Sequence, residues 1–449
     1  MPRRVLLFLV PLLTVAIVAL GLRVGAKDEV TAAIVHGAPL PRDGGRFAWS
    51  LSTFREASGV REVVALPFHA VVRARGTTVR IDGATNEDGA AELGATIPGL
   101  GAGDPIALEI TDDQGEVLAA GDATGLDALP TRAEHRELVH ATVDDGDLTV
   151  KIAVWGTRIA TASSGTLWIT AEDRAGKRVH LLRAELEPDP AVTVLDPLRL
   201  ACGDTAGTLR VVPNMHVAPI DLRVTDDHGR TGRFSGTLPT APGALFVDAP
   251  PRAPVGPVTF TLTAPNARTV AYVEIDDEVG RVHGEIVALA RRGDQGASAT
   301  VTTPPLAAGL HWIVVAGEPD GAEKMNGTTR AFPLRVGALA SDACDEPFAG
   351  RTPTTLPRFV ALDGFARARI PAQARRAKGR KIVLGAVSAG LLLELFLLVM
   401  AIRGSKPALV VEAEDKPLLR SRTESAIVLV LLSALGFLLL FALLESQTR

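Results

Sequence analysis

The chain has 449 residues, with 47 basic and 51 acidic side chains and a formal charge of −4. That length allows roughly two to four domains, and so even a balance sets up no field for gripping nucleic acid. Aromatic residues make up 4% against 43 glycines and 30 prolines, a mixture that favours many turns around light β cores over a large enzyme core with a deep pocket.

Residues 1–25 open the chain with Arg3 and Arg4 followed by an apolar run from Val5 to Leu22. The run is longer than the core of a usual signal peptide, which favours an uncleaved membrane anchor, while Val24-Gly25-Ala26 offers a small-residue cleavage site. Under either reading the segment exports the chain beyond it.

From there to about residue 340 the pattern is strand after strand. Val258-Thr259-Phe260-Thr261-Leu262 and Leu310-His311-Trp312-Ile313-Val314 alternate with the period of two that marks a strand with one buried face. No 3.6-residue stripe is long enough for a major helix. Turns recur in one form: Asp112-Asp113-Gln114-Gly115 is echoed by Asp226-Asp227-His228-Gly229 and by Asp276-Asp277-Glu278-Val279-Gly280. In such turns the aspartate side chain caps backbone amides and the glycine takes the positive φ that closes the hairpin. The expected fold is therefore mainly β, with tandem immunoglobulin-like β-sandwiches over 26–130, 131–245 and 246–338, plus transmembrane α-helices. In the third sandwich the predicted strands are Thr259–Thr263, Val270–Asp276, Gly284–Leu289, Ala297–Thr302 and Leu310–Ala316.

Residues 339–381 read as a tether ending in a basic juxtamembrane segment, and 382–402 and 426–444 as transmembrane helices joined by the charged loop 403–425. Segments of about 20 residues at ~1.5 Å each span the ~30 Å hydrocarbon core. Glu394 is the one charge within 382–402; it costs ~3 kcal/mol at the bilayer centre, against roughly 4–8 returned by the Leu, Ile, Phe and Val around it. An intramembrane carboxylate is a functional hypothesis in its own right. Ser433 in the next span is its internal candidate partner, and Ala386 with Gly390 forms a small face that admits a neighbouring helix closely. Arg375, Arg376, Lys378, Arg380 and Lys381 are expected to meet lipid headgroups. Arg3 and Arg4 place the amino terminus inside and residues 27–380 outside. The basic crowd before 382 opposes that orientation under the positive-inside rule, so a cytoplasmic β-region is the open rival.

Thr85-Asn86-Glu87-Asp88-Gly89-Ala90-Ala91, leading to Ala95-Thr96-Ile97-Pro98, and the junction from Leu238-Pro239 to Ala244-Leu245-Phe246-Val247 resemble the macroglobulin-type immunoglobulin-like domains of bacterial surface proteins. The resemblance covers about residues 60–336. It implies β-sandwich domains in a cell envelope, with the β region in the periplasm of a chain held in the bacterial inner membrane. Macroglobulins that trap proteases carry a Cys-Gly-Glu-Gln thioester. Here Cys202-Gly203-Asp204-Thr205 lacks the glutamine amide, so that chemistry does not carry over.

Other motifs fail on spacing. His135 and His140 miss the i, i+4 pairing of a zinc protease helix, and Gly176-Lys177 lacks the upstream glycine of a phosphate-binding loop, where Ala171 stands. Each acidic turn alone supplies too few oxygens for Ca²⁺. Cys202 and Cys344 are the only cysteines and are compatible with one disulfide in an exported chain. The expectation is a non-enzymatic, membrane-anchored envelope protein that binds or spaces other envelope components. It takes no cofactor and no nucleic acid; its partners are membrane lipid and an envelope or membrane protein. The alternative is an accessory subunit of a membrane transport, secretion or signalling complex, docked through the carboxy-terminal hairpin.

Overall fold

The computed structural model describes residues 3–25, 29–37, 43–57, 59–101, 104–122, 133–135, 146–156, 158–265, 268–277, 280–291, 296–319, 329–337, 351–353 and 359–404, with 430, 433, 436 and 437. The chain divides into two compact units, one of residues 31–55 and 61–365, the other of residues 1–30, 56–60 and 366–449.

The first unit is built of β-sandwiches. Strands β1 (Val30–Gly37), β2 (Arg46–Ala57), β3 (Val60–Val63), β4 (Pro67–Ala74), β5 (Thr77–Ala84), β6 (Ala90–Thr96), β7 (Ala107–Thr111) and β8 (Val117–Asp122) make the first. In β4 every second residue, Phe68, Ala70, Val72 and Ala74, is buried, the strand alternation that commits one face to a core. One sheet runs β5-β4-β7-β8 and the other β3-β2-β1, with β6 also on β2; Trp49, Leu51, Phe68, Leu93 and Ile110 fill the space between.

After the short β9 (Ala133–His135), the second sandwich comprises β10 (Thr149–Val154), β11 (Ile159–Ala160), β12 (Gly165–Glu172), β13 (Leu181–Leu186), β14 (Val192–Val194), β15 (Arg199–Ala201), β16 (Ala206–Pro213), β17 (Ala218–Asp226), β18 (Thr231–Leu238) and β19 (Thr240–Ala241). Its sheets are β10-β12-β16-β14, with β15 also on β16, and β13-β17-β18.

The third uses β20 (Phe246–Asp248), β21 (Arg252–Ala253), β22 (Thr259–Ala264), β23 (Val270–Asp277), β24 (Arg281–Ala288), β25 (Ala290–Arg291), β26 (Ala297–Thr302), β27 (Gly309–Ala316) and β28 (Arg330–Val336). They form sheets β20-β22-β26-β25 and β21-β28-β27-β23-β24. The strands predicted here fall on β22, β23, β24, β26 and β27, with ends shifted by up to three residues.

The stretch expected to be a tether is different in kind. β29 (Arg351–Pro353) pairs with β9, and β30 (Phe359–Asp363) returns to the first sandwich to pair antiparallel with β1, Asp363 opposite Ile34. Leu362 packs on the first core. A helix starts at the next residue, not at 382. Asp363 Oδ1 accepts the Phe365 backbone N–H at 2.8 Å, an N-cap that satisfies one of the orphan amides of the first turn. Gly364 is obligatory there: a Cβ would run into the Leu118 and Ala33 carbonyl oxygens. Phe365 behind it is fully buried, with Phe54 beside its ring and the Arg61 guanidinium 4.0 Å from the ring centroid.

The second unit contains α1 (Arg3–Gly25) and most of α2 (Gly364–Gly404). They pack antiparallel. Gly21 of α1 lies against Gly379, Ile382 and Val383 of α2, while Gly390 of α2 lies against Thr14 of α1, where an added Cβ would come within 2.5 Å of Oγ1. In this unit the buried positions are Val10, Thr14, Val18 and Gly21 on α1 and Ala372, Gly379, Val383 and Gly390 on α2, one stripe on each helix with steps of three, four or seven residues. The close approach expected at Gly390 is thus filled by α1. The apolar positions on the other faces stay exposed, among them Leu12, Leu20, Leu392 and Phe396. Among the described residues no helix is long and apolar enough to cross a membrane; of 426–444 only 430, 433, 436 and 437 lie within them.

Candidate functional site

The acidic turns share one geometry. Asp112 Oδ1 accepts the backbone N–H groups of Gln114 and Glu116, and Asp226 Oδ1 those of His228 and Arg230. Asn86 Oδ1 takes Asp88 and Ala90 in the same way. In each the glycine three residues on, Gly115, Gly229 or Gly89, has positive φ. Asp173 with Gly176 is a further copy, so the Gly176-Lys177 pair belongs to a hairpin. Around Asp277 the turn differs: Gly280 donates its own N–H to Asp277 Oδ1 at 3.1 Å.

Asp226, Asp227 and His228 bring their ligand atoms within 4.8 Å of one another, yet Asp226 is already engaged. Besides the two amides on Oδ1, its Oδ2 takes Arg230 Nε at 2.7 Å. Burial pushes its pKa up, but the Arg230 and His228 hydrogen bonds outweigh that and hold it below the usual value. These carboxylates do turn chemistry. On the first sandwich His69 is held between two others, Nδ1 to Asp82 at 2.7 Å and Nε2 to Asp113 at 3.2 Å. Chiefly through the Asp82 hydrogen bond, its pKa rises.

Cys202 is disulfide-bonded, which occupies the sulfur that a thioester would need; Cys344 lies outside the described residues. Cys202, Gly203 and Asp204 take positive φ in succession, and Thr205 Oγ1 donates to the Cys202 carbonyl at 2.8 Å. His135 lies on β9, and His140 lies outside the described residues.

Two joints tie the sandwiches together, and they differ in chemistry. Between the second and third the joint is apolar. Trp155 stacks at 5.0 Å from Phe332 and donates Nε1–H to the Pro333 carbonyl at 2.6 Å. Gly156 must be glycine, with φ 75° and the Phe332 ring where a side chain would go. Trp155 and Trp168 belong to the third sandwich's core although they come from the second.

Between the first and third the joint is polar. Tyr272, the only tyrosine of the chain, donates its hydroxyl to Asp88 Oδ2 at 2.6 Å and accepts from Asn86 Nδ2 at 2.7 Å. Arg281 pairs with Glu92 of β6 at 2.7 Å and with Glu274 of β23 at 3.4 Å. Arg281 and Glu274 are each 7% exposed, and Arg281 Nε and Nη1 are buried with no hydrogen-bond partner among the described residues. Arg46 of β2 donates to His283 Nδ1 at 3.3 Å, while Glu285 lies 3.7 Å from Nε2. Burial, reinforced by Arg46 and Arg281, lowers the His283 pKa to about 4. Burial, reinforced by Glu92, raises that of Glu285. Nothing local in the sequence marks these residues; the pairs that cross from one sandwich to the other join positions more than 180 apart.

The remaining expected residues lie on α2 or beyond. Glu394 is half-buried, on the stripe that continues from Gly390, and its Oε1 has no hydrogen-bond partner among the described residues. Ser433 is helical and half-buried. Arg375, Arg376, Lys378, Arg380 and Lys381 are all exposed on α2.

No protein-family model and no curated protein matches the chain. Among solved structures, the Escherichia coli adhesin FdeC is 14% identical over 69% of this chain and 97% of its own, at a TM-score of 0.17. Invasin, a bacterial integrin-binding protein, is 12% identical over 69% of this chain and 60% of its own, at 0.16. A Salmonella alpha-2-macroglobulin is 12% identical over 69% of this chain and 23% of its own, at 0.17. At such scores the likeness carries no argument, and the β-sandwich fold rests on the strands, registers and cores described above.

Proposed function

We propose that the protein is a non-enzymatic envelope protein, anchored in a membrane by helices at both ends of its β-region, which binds other envelope components outside the cytoplasm. The observation that carries this reading is the path of the chain at β1 and β30. These two strands are antiparallel neighbours; α1 precedes β1 by a few residues and α2 follows β30 directly. In the chain, α1 therefore leads into, and α2 leads out of, a pair of neighbouring strands, and the two helices pack on each other. In sequence, no charge falls between Val5 and Leu22, and one between Ile382 and Ile402, stretches that would measure about 27 and 31 Å as helix. The packing of α1 on α2 favours a retained anchor over a cleaved signal.

Binding is preferred to spacing because the first and third sandwiches touch directly, whereas a spacer needs only contacts between neighbours in a row. Reporter fusions at about residues 250 and 412 test the arrangement. A periplasmic reporter should be active at the first and a cytoplasmic one at the second; activity of the cytoplasmic reporter at residue 250 overturns it.

Glu394 favours a second reading, an accessory subunit docked through the helices. If its carboxyl meets another protein, Glu394→Gln and Glu394→Leu both release that partner from detergent extracts. If Ser433 or another group of this chain satisfies it, partner recovery stays unchanged.

A further inference from the structure

We propose that Arg375, Arg376, Lys378, Arg380 and Lys381 form a collar that takes the headgroups of anionic phospholipids in preference to zwitterionic ones. The inference rests on the membrane-anchored reading and adds the class of lipid and the residues that select it.

The helix supplies the ruler. α2 is one continuous helix from Gly364 to Gly404, so position converts to height at ~1.5 Å per residue. With the hydrocarbon boundary at Ile382, Lys381, Arg380 and Lys378 lie within about 6 Å of it, inside the headgroup layer. Arg376 and Arg375 lie at about 9–10 Å, within one ~8 Å Debye length of that layer. Arg367 and Arg369 stand about 20 Å out, beyond both, and Arg369 is already paired with Glu56 at 2.7 Å.

The collar also surrounds the helix. At 100° per residue its five positions leave no gap wider than about 100° around the axis, and all are exposed. The helix itself carries no Asp or Glu from Gly364 to Leu393. Just below the collar the outward faces turn apolar, with Leu384, Leu391 and Leu392 exposed on α2 and Leu20 on α1. A basic ring directly above an apolar band is complementary to an anionic membrane surface, where each lysine or arginine is worth about a fivefold preference.

The test uses the full-length protein reconstituted in vesicles and spin-labelled lipids read by electron paramagnetic resonance. Phosphatidylglycerol should be held at the protein surface about fivefold more strongly than phosphatidylcholine, and the ratio should fall as salt rises from 0.05 to ~0.5 M. Replacing all five residues by glutamine should bring the ratio near one. Replacing the three arginines by lysine should keep it, as should Arg367→Gln. Equal binding of the two lipids by the wild type, a preference that survives the glutamine variant, or one lost in Arg367→Gln overturns the collar. Carbonate washing separates this failure from that of the anchor: an extracted wild-type chain overturns both, whereas a retained chain without lipid preference overturns the collar alone.

Discussion

Acid should weaken this protein through His283. In the folded chain the imidazole sits between Arg46 and Arg281 at the polar joint, and its pKa is lowered to about 4; unfolded, it returns to ~6.5. Between those values the unfolded chain binds a proton that the folded chain refuses. Stability therefore falls as pH drops from 6.5 to 4 and loses nothing further from this residue below that. A gap of about 2.5 units at ~1.4 kcal/mol each sets a ceiling of ~3.5 kcal/mol. The side chain is 23% exposed, so screening reduces the expected loss to ~2 kcal/mol. His283→Asn keeps an acceptor near the Nδ1 position without a titratable group, and so should be flatter by that amount. Urea denaturation of the full-length protein in detergent, followed by tryptophan fluorescence at pH 4, 5, 6 and 7, measures the difference between the two chains. Every other titratable group is common to the two chains and cancels in the difference. Parallel curves for wild type and variant across pH 4–6.5 would refute the argument.

The same joint can be opened by charge. Arg281→Met takes a charge partner from Glu274 in a nearly dry site and should cost about 3–5 kcal/mol, whereas Arg281→Met with Glu274→Met should recover most of it, because a buried pair is worth little against an apolar replacement; the same denaturation series reports both. For the helix pair, Gly21→Cys with Val383→Cys should cross-link on mild oxidation, since a Cβ on Gly21 comes within 2.8 Å of Val383 Cγ2, within reach of disulfide geometry. Adding Gly390→Leu, which drives a side chain into Thr14, should lower the cross-linked fraction several-fold on non-reducing gels. A chain whose amino-terminal segment had been removed would give no such species.

What the sequence makes legible is local. Asp112 with Gly115 and Asp226 with Gly229 announce their turns because the capping oxygen and the positive-φ glycine lie three residues apart, and β22 through β27 announce themselves by alternation. The copy at Asp173–Gly176 carries the same signal and is masked only by the lysine after it. β30 is harder. Phe359-Val360-Ala361-Leu362-Asp363 is a short apolar run ending in a capping aspartate, but it lies among prolines and alanines, and its partner is at the far end of the chain. The polar joint leaves no trace at all. Tyr272, Arg281 and His283 sit on an ordinary strand pattern, and only the meeting of two sandwiches turns them into a buried cluster.

The return of β30 to β1 also sets the order in which the chain can become whole. Ile34 and Asp363 meet across roughly 330 residues, so closing that loop costs ~3 kcal/mol more chain entropy than a connection of about a dozen. It cannot happen until the end of the β-region has been made. The amino-terminal sandwich, synthesised first, is the last to be completed, and until then β1 waits with one edge open, the state in which strands pair with the wrong neighbour. Since α2 follows β30 without a linker, the moment that strand docks is also the moment the second helix is delivered beside the first. Completion of the first sandwich and pairing of the two helices become a single late event.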